Sequence, residues 1–291
     1  MFNSVNSDMA KYWDYAKGID LKNRMPLYIK PDRKLTPQDL MSFKRNYLQG
    51  TELDMSQDAG AGPFGLPYRW RTLTWDYQGK TYFNERATAT QQTGFSFIAQ
   101  MRSWLPNPIG GIFWFGVDDA STTVYMPIYC AINRVPETLA EGNGDMLTYS
   151  PSSGFWAFNR VAHFAYLFYS RVMPDVKKAQ SELENKFAAY TPAIDAAAQK
   201  LWETNPELAV QFLTDYSVNT ANTTVARWNE LSNFLLVKYL DGNVKQEKDG
   251  KFIRNPWGYP ASPSYPGYNE AWKETVVKDT GEKLLHPDSK K

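Results

Sequence analysis

The sequence predicts an α+β fold, with strands first and helices second. Apolar residues repeat with a period of two between residues 68 and 130, and with a helical period between about 155 and 240. With 291 residues, 43 % of them hydrophobic and 15 % aromatic, the chain is long enough to bury one large core or two modest ones. The expected division places a β-rich part at 1–150 and a helical region with an irregular tail at 151–291.

The elements follow in order. Thr36, Pro37 and Asp39 supply an N-cap, a first-turn proline and a first-turn carboxylate, and Leu40, Phe43 and Tyr47 line one face. A helix over about 37–49, stopped by Gly50, is predicted. Glycine and proline make 58–67 a loop. "RWRTLTWDY", alternating around Trp70, Leu73 and Trp75, then "QGK" and "TYFNE", predict a hairpin. Phe95, Phe97, Ala99 and Met101 share one face of the next strand, and Ser96, Ile98 and Gln100 the other. "GGIFWFGV" is apolar on both faces, as in a strand covered on two sides. "STTVYMPIY" is a further strand that Pro127 ends or confines to an edge.

Beyond residue 150 the pattern is helical. "FWAFNRVAHFAYLFYSRV" is an aromatic helix, and Pro174, Thr191–Pro192 and Asn205–Pro206 each read as a new helix start. The last helix ends at Asp241 and Gly242, and a short one is expected at about 269–278 after a Pro-, Gly- and Tyr-rich segment.

Charge narrows the partners. Against 31 acidic residues stand 32 basic ones, for a net charge of +1, so neither nucleic acid nor an anionic membrane attracts the chain electrostatically. No stretch has the apolar length of a membrane span, and the first residues lack a basic leader followed by an apolar run. The single cysteine, Cys130, excludes an internal disulfide and a cysteine-based zinc site.

Familiar catalytic motifs are absent. His163 and His286 are far apart, and His163, in an aromatic helix, reads as a packed or hydrogen-bonded core residue. Asp118 and Asp119 are adjacent on a strand end, so their side chains diverge; turn-forming and capping roles fit them better than a catalytic pair. Cys130 has no lysine or histidine close in sequence and reads as a small buried hydrophobe. The informative stretch is "NERATATQQTG". There Glu85, Arg86, Gln91 and Gln92 set a charge pair and two amides beside aromatic strands, and those groups need partners. A structural network meets that need, and so does a groove holding a peptide's amide and terminal charge, with Arg86 paired to Glu85 or another carboxylate.

"NERATATQQTGFSFIAQMRSWLPNPIGGIFWFGVDDASTTVYMPIYC", with "GTELDM" before it and "LENKFAAYTPAIDAAA" and "FLTDYSVNTANTTVARW" after it, strongly resembles the C69 dipeptidases, also called U34 peptidases. The resemblance covers nearly the whole chain. It implies an N-terminal-nucleophile hydrolase of αββα type, related to penicillin V acylase, bile salt hydrolase and the secernins, that hydrolyses dipeptides with broad side-chain tolerance and without metal or cofactor. In such enzymes a cysteine at the first position attacks the scissile carbonyl, and its own α-amine serves as base. Here Met1 is first and the only cysteine is internal, so no catalytic residue of the family can be carried onto this chain. The resemblance therefore implies a C-terminal portion whose nucleophile and remaining sheet lie on an upstream segment.

Two alternatives remain open at this stage. The chain works alone as a non-catalytic peptide-binding or scaffold protein, or self-cleavage before Thr51 exposes a threonine amine, although a turn role suits Thr51 better. Without the upstream part, open sheet edges and apolar faces favour a homo-oligomer.

Overall fold

The structure, a computed structural model, describes residues 1–70 and 72–290. Its helices are α1 (Trp13–Ala16), α2 (Pro37–Lys44), α3 (Asn107–Gly110), α4 (Gly154–Leu167), α5 (Tyr169–Thr204), α6 (Pro206–Tyr239) and α7 (Glu270–Thr280). Its strands are β1 (Thr74–Tyr77), β2 (Lys80–Phe83), β3 (Phe95–Met101), β4 (Gly111–Val117), β5 (Met126–Tyr129), β6 (Glu247–Lys248) and β7 (Lys251–Phe252). The α+β order of the sequence holds.

At α2 the Thr36 hydroxyl accepts from the Asp39 amide and the Asp39 carboxylate accepts from the Thr36 amide, a reciprocal cap. The helix stops at Lys44, five residues before the predicted end. Asn46 is the reason: its side chain accepts the Leu48 amide at 2.7 Å, Leu48 takes φ +63°, and the chain turns so that Tyr47 points inward and is buried. Met41, rather than Leu40, is the buried residue of the helix.

β1 and β2 form the predicted hairpin, closed by Gln78 and Gly79 at φ +49° and +73°, which matches the twist of the paired strands. Arg71, placed in its first arm by the sequence, lies outside the described residues. All eight strand residues are exposed, and the Trp75 and Tyr82 rings stack at 4.7 Å.

The main sheet is antiparallel in the order β3-β4-β5, with Phe97 opposite Phe115 and Trp114 opposite Pro127. Pro127 thus sits on an edge strand, as expected. Residues 121–123 are a turn instead of the predicted strand, because Asp119 accepts bonds from Ser121 and Thr122 there. One sheet face is packed: Ser96, Ile98, Ile112 and Trp114 are buried. The other is not. Phe95, Phe97 and Met101 are 61 %, 44 % and 75 % exposed, and Phe113 and Phe115 are half-buried. Among the described residues, the two-sided cover predicted for β4 is thus found on one side.

α4, α5 and α6 pack together and onto the sheet; Phe158 of α4 stacks on Trp228 of α6 at 5.0 Å. The helix starts predicted at Pro174 and at Thr191–Pro192 do not occur, because α5 runs through both prolines. Each interior proline costs about 3 kcal/mol. Burial of Val172, Met173, Val176 and Phe187 around them offsets that, and the Thr191 hydroxyl donates to the Phe187 carbonyl at 2.8 Å. Asn205 caps α6 as predicted, accepting the Leu208 amide at 3.1 Å. Two ion pairs fix α5 over the sheet. Arg45 pairs with Glu184, which also accepts the Tyr125 amide at 2.8 Å, and Arg102 pairs with Asp195, which accepts the Tyr129 hydroxyl at 2.7 Å. Among the described residues no helix is long and apolar enough to cross a membrane.

Candidate functional site

Residues 84–94 leave β2, cross the surface without regular structure and enter β3. Their path is pinned at three places. The Ala89 amide donates to the Asn46 carbonyl at 3.0 Å, the Thr93 amide and hydroxyl both donate to the Thr90 carbonyl at 3.1 and 2.6 Å, and the Gly94 carbonyl accepts the Asp118 amide at 2.8 Å.

On one side of this segment Glu85, Arg86 and Gln92 line a cavity of about 20 Å³ together with Tyr47, Tyr68 and Arg69. That is room for about one water and far too little for a peptide. The Tyr68 hydroxyl donates to Gln92, and Arg69 pairs with Asp58. Gln91 does not line the cavity. The expected pairing of Arg86 with Glu85 or another carboxylate does not form among the described residues; Arg86 is exposed instead.

Beneath Tyr47 lies a buried polar cluster. Asp119 has no exposure, and its Oδ1 accepts the Tyr166 hydroxyl at 3.0 Å and the Tyr47 hydroxyl at 3.3 Å. Its Oδ2 accepts the Ser121 hydroxyl, the Thr122 hydroxyl and the Thr122 amide at 2.7, 2.9 and 3.0 Å. Burial pushes the Asp119 carboxyl up, and these donors oppose it. Burial also raises both tyrosine hydroxyls, which therefore stay protonated donors. Asp119 thus has the capping role read from sequence. Asp118 differs. It is buried with φ +64°, its Oδ1 accepts Asn159 Nδ2 at 3.0 Å, and its Oδ2 has no partner among the described residues. Burial pushes its carboxyl up to about 7.

On the other side of the segment is a cleft of about 330 Å³, lined by Lys44, Thr88, Thr93, Phe95, Ser96, Phe97 and Ala120. It opens beside the exposed aromatic sheet face. Sequence reasoning passed over Lys44, Thr88 and Thr93, since nothing in their spacing links the end of a helix to a loop about 45 residues later. Phe95 and Phe97 stand out in the sequence only as one face of a strand.

The other candidates separate clearly. Cys130 is exposed, a correction to its reading as a buried hydrophobe, and what burial it has raises its thiol pKa, which disfavours the thiolate. It sits just past the edge strand β5, at the rim of the sheet, where its amide still donates to the Gly111 carbonyl at 3.0 Å. His163 is hydrogen-bonded, to the Asn159 carbonyl at 2.9 Å, but lies on the exposed side of α4 and is not a core residue. The Thr51 hydroxyl donates to the Leu48 carbonyl at 2.6 Å, a turn role.

Residues 8–182 match the family model described as peptidase family C69, which is more than half of the chain. The chain belongs to that family. The match spans α2, residues 84–94, the whole sheet and the 118–123 turn, so both the small cavity and the 330 Å³ cleft fall inside the family's shared sequence. A larger cleft, about 570 Å³, is walled partly by residues 269–275 of the C-terminal helix, beyond the match. Membership accounts for the α+β class and for a peptidase activity. No curated protein matches the chain.

Proposed function

We propose that this chain is the C-terminal portion of a cysteine dipeptidase of the N-terminal-nucleophile type, with the nucleophile on an upstream segment of the same enzyme. The observation that carries the reading is the outer face of β3 and β4. There the Phe97 and Phe113 rings lie 4.7 Å apart, Phe113 and Phe115 5.5 Å, and Phe95 and Phe115 6.0 Å, with no layer over them among the described residues. A sheet that buries one face under helices and leaves an aromatic face open is suited to receiving a second sheet. Peptidase membership and a cysteine without a neighbouring base agree with a nucleophile supplied from elsewhere.

In this reading residues 84–94 and the cleft beside them form a wall of the dipeptide site, with Glu85, Arg86, Gln91 and Gln92 at its rim. The test is association. The upstream segment, produced separately, should co-sediment with the chain, and Phe97→Ser with Phe113→Ser should abolish that. Equal association of the double variant sinks the reading.

A second reading is a stand-alone, non-catalytic peptide-binding or scaffold protein, which the same lack of an activated nucleophile favours. The open aromatic face would then pair with a second copy, giving a homo-oligomer. Dipeptide binding without turnover, whatever is added, distinguishes this from the first reading.

A further inference from the structure

We propose that Lys44 and Thr88 form a carboxylate-binding subsite in the 330 Å³ cleft, one that takes the C-terminal carboxylate of a short peptide whose last residue is apolar. The inference rests on the dipeptidase reading and names the part of the substrate that this cleft holds.

Lys44 is the last residue of α2. A cation at a helix C-terminus is favourable in itself, because the free carbonyls there carry partial negative charge. The lining opposite it makes the difference. Arg33, Arg45 and Arg69 are committed to Asp39, Glu184 and Asp58, and Arg86, which makes no ion pair among the described residues, lines the small cavity on the other side of the segment rather than this cleft. Lys44 makes no ion pair among the described residues, and it lines a cleft that contains no carboxylate of its own.

The hydroxyls divide by direction. Ser96 Oγ is bonded to the Tyr125 hydroxyl at 2.8 Å on the buried side, and Thr93 Oγ1 gives its proton to the Thr90 carbonyl. Thr93 is therefore left as an acceptor, suited to a peptide N–H. Thr88 makes no hydrogen bond among the described residues, so its proton is available. One ammonium and one hydroxyl can then both donate to a carboxylate, and charge-assisted bonds of this kind are the stronger ones. Phe95 and Phe97 supply the remaining wall, a surface for an apolar side chain. The volume lies at the lower end of the range usual for small-ligand sites. An enzyme that cleaves dipeptides must read the ends of its substrate, and a cation at this place reads one of them.

The test is isothermal titration of the purified chain with Ala-Phe and with its C-terminal amide. The free acid should bind about tenfold more tightly than the amide, as one added charge-assisted contact gives. Lys44→Gln should erase that ratio, Thr88→Val should reduce it, and Lys44→Arg should retain it. Lys44 is exposed, and circular dichroism of the variants checks their fold. Equal affinity for acid and amide, a ratio untouched by Lys44→Gln, or no binding of either probe overturns the proposal. Hydrolysis on adding the upstream segment, without a carboxylate preference, leaves the dipeptidase reading standing and removes this subsite. A preference without hydrolysis does the reverse.

Discussion

Asn159 Nδ2 donates to Asp118 Oδ1 at 3.0 Å, while Asp118 Oδ2 is buried without a hydrogen-bond partner among the described residues. A buried carboxylate with one oxygen unpartnered is expensive to ionise, which is why burial pushes this group from 3.8 up to about 7.

The sign of the pH dependence follows. Below about pH 4 Asp118 is protonated in both folded and unfolded chains, and no penalty exists. Between about 4 and 7 the unfolded chain loses its proton while the folded chain keeps it, so stability falls across that window. Asp118→Asn should therefore stabilise the protein by up to about 4 kcal/mol at pH 8 and by almost nothing at pH 4. Asparagine also tolerates the left-handed backbone at this position. Urea denaturation of wild type and variant at both pH values checks this; an equal effect at both would show that Asp118 is not the titrating group.

Tyr47→Phe removes one of the two tyrosine donors to Asp119 Oδ1 and leaves Tyr166 in place. The expected cost is about 1–3 kcal/mol in denaturant. A neutral result would mean that Tyr166 alone satisfies the carboxylate oxygen.

Arg45→Ala strands the buried Glu184 carboxylate, leaving the Tyr125 amide as its one partner among the described residues. Removing one member of a buried pair costs about 3–5 kcal/mol. Because Arg45 also donates to the Thr123 carbonyl at 2.9 Å, proteolysis should become faster near residues 118–123. Loss of stability without that local opening would assign Arg45 to the helices alone.

The aromatic sheet face offers a separate check. Phe97→Ser with Phe113→Ser should lower the fluorescence of a hydrophobic dye bound to the chain, without lowering its helical circular dichroism. Unchanged dye binding would place the exposed apolar surface elsewhere.

Much of this was legible from residue patterns. The hairpin around Gln78–Gly79, the alternation of β3 and the Asn205–Pro206 helix start each depend on local chemistry, and each stands in the structure. The misreadings share a cause. Pro174 and Pro192 looked like helix starts, because their cost is local while the burial that outweighs it comes from other elements. Cys130 reads as buried because no lysine or histidine close in sequence activates it, yet it lies just past the end of β5 and is exposed. The site shows the same division. Glu85, Arg86 and Gln92 do converge on one small cavity, whereas Lys44 joins Thr88 and Thr93 only through the tertiary fold.

The most direct measurement is hydrolysis. Purified chain is incubated with several dipeptides, alone and with the separately produced upstream segment, with and without a thiol alkylating agent, and amino-acid release is followed. No release from the chain alone is predicted, and release that the alkylating agent blocks is predicted once the upstream segment is added. Cys130→Ala should change neither result. Alkylation-sensitive release by the chain alone, lost in Cys130→Ala, would contradict the account and make Cys130 the nucleophile.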